Sequence, residues 1–247
     1  MKLAFVSALA WLLVLLACGT SRADRPTIFA AASLREAVEE LCELYEREGN
    51  PRPRLNIAAS NLLARQVLAG ARADLLFSAD ELQVDLLEQA GHVEERRSLL
   101  SNRLAVIYPR GVPKPVMIDG SPPWVATLCI ANDAVPLGRY TDAWFRGWGF
   151  NNYVYQRVVP AISARGVLAA VESGAVDAGV VYATDAAISD KVRVAFVLGG
   201  DAAADISYSL ARLTGANASG ASLFEFLSGP RAAEVFGRHG FLWRGEQ

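Results

Sequence analysis

Apolar runs of strand length alternate with segments of helical period along most of the chain. TIFAA, RLNIAA and DLLFSA are followed in turn by Leu34–Glu48, Leu62–Ala69 and Leu82–Ala90. Strands and helices in this order predict parallel strands covered by helices. In the first helix Leu34, Val38, Leu41 and Tyr45 form the apolar stripe, filled by Ala37 and Leu44, and Gly49 is its expected stop. NRLAVIYPRGVPKP then reads as a strand running into a Pro- and Gly-rich segment, Pro109 to Pro123, that crosses from one lobe to another. The pattern restarts with the strand WVATLCIA, a helix around Tyr140–Trp148, a helix from Ala164 to Ser173, and the strands DAGVVYA and VRVAFVL. DISYSLARL adds another strand, and two last helices, Leu223–Leu227 and Arg231–Gly237, carry no new sheet. Their simplest place is back on the first lobe. The expected organisation is a first, discontinuous lobe of 24–105 plus 207–247 and a second lobe of 106–206. Each lobe is expected to be a mostly parallel sheet flanked by helices, with a cleft between the two.

The chain's beginning breaks this pattern. Lys2 precedes a run from Leu3 to Ala17 that is apolar but for Ser7, and small and polar residues follow, the layout of a secretory signal. Residues 1–23 therefore read as a signal peptide and the protein as periplasmic. Ser21-Arg22-Ala23 offers the favoured cleavage point, after Ala23. The alternative is Leu15-Leu16-Ala17-Cys18, where processing before Cys18 would leave a lipid anchor.

Composition narrows the chemistry. Without the signal, 224 residues remain, with 22 Lys and Arg against 26 Asp and Glu, a net charge of −4. This balance does not suit a nucleic acid partner. Any small anion has to be held by local donors. Cys42 and Cys129 read as buried small hydrophobes, a disulfide between them requiring a close approach that spacing does not reveal. His92 and His239 lie in Gly-flanked surface stretches without a second ligand at metal spacing. No metal site or cofactor is expected.

Three strand-to-helix junctions place a hydroxyl or a free amide at a helix start. Ser33 follows FAAA and stands three residues before Glu36, as in a capping box. Ser60 follows NIAA and opens the helix beginning at Leu62, and ISARG leaves unpaired N–H groups near Ala164. Taken singly, each is an ordinary helix cap. Together, Ser33 and Ser60 lie at the carboxyl edge of neighbouring strands, where open α/β sheets bind ligands, and helix N-termini favour anions. Small residues at Ala30–Ala32 and Ala58–Ala59 then leave room for close approach. Tyr182 closes an apolar strand with a neutral O–H donor, and Leu137 in VPLGRY can present its main-chain N–H. Asp74 and Asp80, flanking LLFSA, read as caps or solvated strand ends. Arg35, Arg65, Arg139 and Arg165, all near helix starts, are expected to be exposed, whereas an inward-facing one would favour a carboxylate ligand. No G-x-S-x-G elbow surrounds either serine.

The chain resembles the periplasmic molybdate-binding proteins of ABC importers. The resemblance is carried in order by FAAASLREAVEEL (29–41), AASNLLARQVLAGARADLLFSAD (58–80), LLSNRLAVIYPRG (99–111), VPLGRY (135–140), VESGAVDAGVVYATDA (171–186) and FLSGPRAAEVFGRHGF (226–241). It implies a type II periplasmic binding protein fold, α/β, whose two lobes close over a tetrahedral oxyanion. It also implies roles by position. Ser33 and Ser60 would donate hydroxyls and main-chain N–H groups, Leu137 and Ala164 main-chain N–H groups, and Tyr182 its hydroxyl. The ligand would be molybdate or tungstate, bound through its oxygens. The partners would be a membrane permease and its ATPase, and the protein a monomer without enzymatic activity. Two positions depart from the family pattern: Asn61 where glycine is frequent, a residue that tolerates left-handed backbone, and Ala164 where valine is common. The rivals are a binding protein for sulfate or an organic carboxylate, and a secreted serine hydrolase on a two-lobe frame.

Overall fold

The computed structural model describes residues 25–114, 126–147, 157–198 and 205–245. Residues 1–23, expected to be a signal peptide, with both candidate processing points, most of the Pro- and Gly-rich stretch, and Trp148 lie outside the described residues.

Two sheets organise the chain. The first has the order β11-β4-β10-β3-β1-β2, from β1 (Thr27–Ala31), β2 (Arg54–Ala58), β3 (Leu75–Ser78), β4 (Val93–Ser101), β10 (Tyr208–Leu213) and β11 (Leu242–Trp243). The second has the order β7-β6-β8-β5-β9, from β5 (Leu104–Pro109), β6 (Leu128–Ala131), β7 (Val158–Ala161), β8 (Ala178–Tyr182) and β9 (Val192–Val197). Helices α1 (Arg35–Arg47), α2 (Ser60–Leu68) and α3 (Glu81–Gln89) serve the first sheet, together with α7 (Ala218–Leu227) and α8 (Pro230–Arg238). Helices α4 (Pro136–Gly147), α5 (Ala164–Glu172) and the short α6 (Ala183–Ala187) serve the second.

The sheets are mixed rather than mostly parallel. β1 pairs in parallel with β2 and β3, and β6 with β7 and β8, because helices connect them. The strands that cross between sheets run the other way: β10 is antiparallel to β3 and β4, and β5 to β8 and β9. Only Asn102 and Arg103 separate β4 from β5. The chain therefore changes sheets two residues earlier than the 105/106 boundary anticipates, since Leu104 and Ala105 already pair with Tyr182 and Val181 of the second sheet.

Alternation within β1 and β3 explains the first lobe's two cores. Phe29 and Leu76 face Leu63, Ala64 and Val67 of α2 and Val84 and Leu87 of α3. Their neighbours Ile28, Ala30, Leu75 and Phe77 face the opposite side, toward α1, α7 and α8. Strands covered on both faces read as continuous apolar runs, as these do. Each buried Leu or Phe contributes roughly 1.5–3 kcal/mol. The closing helices are fixed by aromatic contacts, Tyr45 with Phe226 at 5.1 Å and Phe77 with Phe236 at 5.6 Å between ring centroids. Gly49, at φ +90°, ends α1 in the left-handed backbone that glycine adopts without strain.

Candidate functional site

The carboxyl ends of the parallel strands in both sheets meet across a small cleft of about 280 Å³, counting space open to solvent. From the first lobe come Ala31, Ala32 and Ser33 after β1, Ala59 and Ser60 after β2, and Ala79 after β3. The second lobe contributes Val135, Pro136 and Leu137 at the start of α4, Ser163 and Ala164 at the start of α5, and Tyr182 at the end of β8. Ser33, Ser60, Leu137, Ala164 and Tyr182, separated by up to 149 positions in sequence, thus share one lining. Ala79 completes the set of small residues at the strand ends. Its place at the end of DLLFSA, a small residue closing an apolar run as in AAAS and AAS, is the signal by which the sequence marks it.

Each donor has a local cause. Ser60 is the first residue of α2, so the helix begins two residues before Leu62, and Ala59 is its N-cap without a side-chain bond. The Ser60 Oγ accepts the Ala79 amide at 3.0 Å, which leaves its own proton to donate elsewhere. Asn61 lies within α2, so this turn uses ordinary helical backbone rather than a left-handed residue. Ser33 is not a capping-box serine. It sits inside a single 3₁₀ turn, Ala32–Leu34, and makes no cap bond, its Oγ lying 3.2 Å from the Tyr208 hydroxyl. The side chain is taken by a residue 175 positions away.

In the second lobe, Pro136 opens α4, a position where its missing N–H costs nothing. Gly138 lets this turn approach the loop after β6: a Cβ there would lie 1.9 Å from the Asn132 carbonyl oxygen. Ser163 caps α5, its Oγ accepting the Gly166 amide at 3.1 Å. Ala164 is consequently the first helical residue, whose N–H has no acceptor within the helix. The Tyr182 Oη is buried without a hydrogen-bond partner among the described residues. Burial pushes its phenol well above the ordinary range, so the group remains an O–H donor.

None of the described residues lining the cleft is charged. Charges sit at its rim and correct one expectation, because Arg139 and Arg165 are partly buried rather than exposed. Arg139 of α4 pairs with Asp80, which also caps α3 by accepting from the Gln83 amide. Arg165 of α5 pairs with Glu36 of α1, and its Nε lies 3.1 Å from Asp185. Both arginines therefore hold first-lobe carboxylates across the cleft. Arg35 and Arg65 are exposed. Asp185 is fully buried, and neither of its oxygens makes a hydrogen bond among the described residues. Burial lifts its carboxyl to about 7 against the opposing pull of Arg165.

The remaining candidates lie elsewhere. Cys42 and Cys129 are free and buried, and burial raises both thiols, that of Cys42 to about 12. Asp74 accepts the Thr27 and Asn217 amides. His239 is partly buried and pairs with Glu40 at 2.8 Å, while His92 lies at the far end of the first sheet. Among the described residues there is no cluster of His, Cys, Asp and Glu able to hold a metal ion, and no helix long and apolar enough to cross a membrane.

Comparison with known proteins agrees with this architecture. Residues 26–242 match the family described as bacterial extracellular solute-binding protein. The molybdate-binding protein ModA of Escherichia coli is 34% identical over 90% of this chain and 91% of its own length. The putative ABC transporter substrate-binding lipoprotein YvgL of Bacillus subtilis is 30% identical over 96% of each chain. Among solved structures, the substrate-binding domain of a putative molybdenum ABC transporter from Clostridium difficile superposes with a TM-score of 0.71 at 26% identity, covering 90% of this chain and 99% of that one. With its two sheets flanked by helices and its cleft between them, the chain has the type II periplasmic binding protein fold and belongs to the bacterial extracellular solute-binding proteins.

Proposed function

We propose that this protein captures molybdate, and tungstate with it, outside the cytoplasm and delivers it to an ABC import permease driven by an ATPase. Ser33, Ser60 and Tyr182 donate hydroxyl protons, and the amides at Leu137 and Ala164 complete the shell. The anion is held through its oxygens, without a protein ligand to the metal, a cofactor or a chemical step, by a monomer whose lobes close over it.

The observation that carries this reading is a cleft whose polar groups are neutral donors while both nearby arginines already hold carboxylates. Hydrogen bonds to a charged oxygen contribute roughly 1.5–3 kcal/mol each. A shell of donors suits a fully deprotonated dianion and leaves the O–H of a protonated oxyanion without an acceptor. An organic carboxylate lacks its arginine clamp. Among the described residues serine hydrolysis finds no base: the two hydroxyls meet the Tyr208 hydroxyl and the Ala79 amide, and neither takes up a proton at neutral pH.

Thermal unfolding of the purified protein with molybdate, tungstate, sulfate and phosphate in turn tests the reading, because a ligand of the folded state raises the midpoint. A rise with molybdate and tungstate alone is expected. No rise with any of the four would overturn the proposal, and a larger rise with sulfate would reassign the ligand.

A further inference from the structure

The hydrogen bonds behind Ser33 have a direction, and it is set at the crossing between the lobes. The Arg103 amide donates to Asn102 Oδ1 at 2.8 Å, which fixes the side-chain amide, since an N–H cannot donate to an NH₂ group. Asn102 Nδ2 therefore faces the other way, as a donor only. It reaches Thr184 Oγ1 at 2.9 Å and the Tyr208 hydroxyl at 3.3 Å. Tyr208 is fully buried, and burial pushes its phenol above the ordinary range, so it carries one proton. Its oxygen already accepts from Asn102. Its other partner among the described residues is Ser33 Oγ, at 3.2 Å. A buried O–H needs an acceptor, and since the Tyr182 hydroxyl makes no hydrogen bond among the described residues, Ser33 Oγ is the one available to Tyr208; Tyr208 then donates to Ser33, and the Ser33 proton is left for the cleft.

We infer that Asn102 and Tyr208 are positioning residues that hold the Ser33 hydroxyl as a donor toward the ligand. The inference rests on the proposed capture of an oxyanion. Ser60 shows the same arrangement by a shorter route, its oxygen accepting the Ala79 amide from behind. Both serines thus have an acceptor site filled on the protein side. A ligand oxygen that bears a proton meets a donor at each. The relay also joins the lobes: Asn102 lies between β4 and β5, Tyr208 opens β10 after the return crossing, Thr184 belongs to α6, and Ser33 to the first lobe. Ser33 is oriented from the two places where the chain passes between sheets.

A double-mutant cycle on the full chain tests this, with molybdate affinity read by titration calorimetry. Tyr208→Phe is expected to weaken binding about tenfold or more, the scale of one hydrogen bond to a charged group. Ser33→Ala is expected to do the same. The two together should be no weaker than Ser33→Ala alone, because Tyr208 acts through Ser33. Asn102→Asp provides a second route: its new oxygen accepts the Tyr208 proton, Ser33 then donates to Tyr208, and binding should fall at least as far as in Ser33→Ala. If the losses from Tyr208→Phe and Ser33→Ala simply add, or if Asn102→Asp and Tyr208→Phe bind as the wild type does, the inference is overturned while the functional reading stands. Absence of any oxyanion binding by the wild-type chain would overturn that reading, and the inference with it.

Discussion

The centre of the cleft and its rim use opposite chemistry. The centre presents uncharged donors from strand and helix ends, whereas the rim carries two arginines, each on a carboxylate of the other lobe. The difference separates two tasks. A cation at the centre would bind any anion of the right size and would need its own desolvation offset, while neutral donors are fixed by the backbone and discriminate by proton content. At the rim, ion pairs link the two lobes through residues that do not line the cleft. Charge joins the two lobes, and uncharged groups line what lies between them.

Breaking the rim should cost the most. Arg165→Met removes the ion-pair partner of the fully buried Asp185, and losing one partner of a buried pair costs roughly 3–5 kcal/mol. The loss is expected toward the lower end of that range, because Asp185 can take up a proton, and urea unfolding of the unliganded protein measures it. The same residue gives a pH dependence. Its carboxyl is raised from 3.8 to about 7 in the folded chain, so the folded state holds a proton that the unfolded state releases between these values. The stabilisation from that proton is complete below the unfolded value and is lost as pH rises through the folded one. Asp185→Asn does not titrate. Melting curves should therefore shift in favour of the variant, relative to wild type, as pH rises from about 4 to about 7.

Ala164→Pro sharpens the contrast at the centre. Proline is at home in the first helical position and Ser163 before it is extended, so α5 should form normally while one N–H disappears. Molybdate affinity should fall by roughly 1.5–3 kcal/mol, about tenfold to a hundredfold, with the unliganded melting point nearly unchanged. A fall in both would mean that the site and the fold are not separable here. The smallest effect is expected at Arg35, whose exposed pair with Glu39 spans one helical turn. Arg35→Ala should change stability by less than about 0.5 kcal/mol and leave binding untouched, as checked by the same unfolding and titration experiments.

Much of this contrast is local in sequence, and the rest is not. Helix starts after apolar runs are written in neighbouring residues, which is why Ser33, Ser60, Leu137, Ala164 and Tyr182 are legible together. The rim is illegible for the opposite reason: Arg139 meets Asp80 59 residues away, and Arg165 meets Glu36 at a separation of 129, each from the other lobe. Ser33 misleads because S-x-x-E satisfies a local rule while Tyr208, far along the chain, claims the hydroxyl. β4 escapes notice because VEERRS carries charge on nearly every residue, although its burial alternates as a half-covered strand should. The parallel halves of both sheets follow from the strand-helix alternation. The antiparallel strands depend on where the chain crosses, which no periodicity records.

The most direct measurement is a crystal structure of the protein with molybdate, using anomalous scattering at the molybdenum edge. The account predicts a single strong peak between the lobes, with oxygens within hydrogen-bond distance of the Ser33, Ser60 and Tyr182 hydroxyls and of the Leu137 and Ala164 amides. A peak at the arginine rim or elsewhere on the surface, or an ion in this cleft contacted by Arg139 or Arg165, would contradict it.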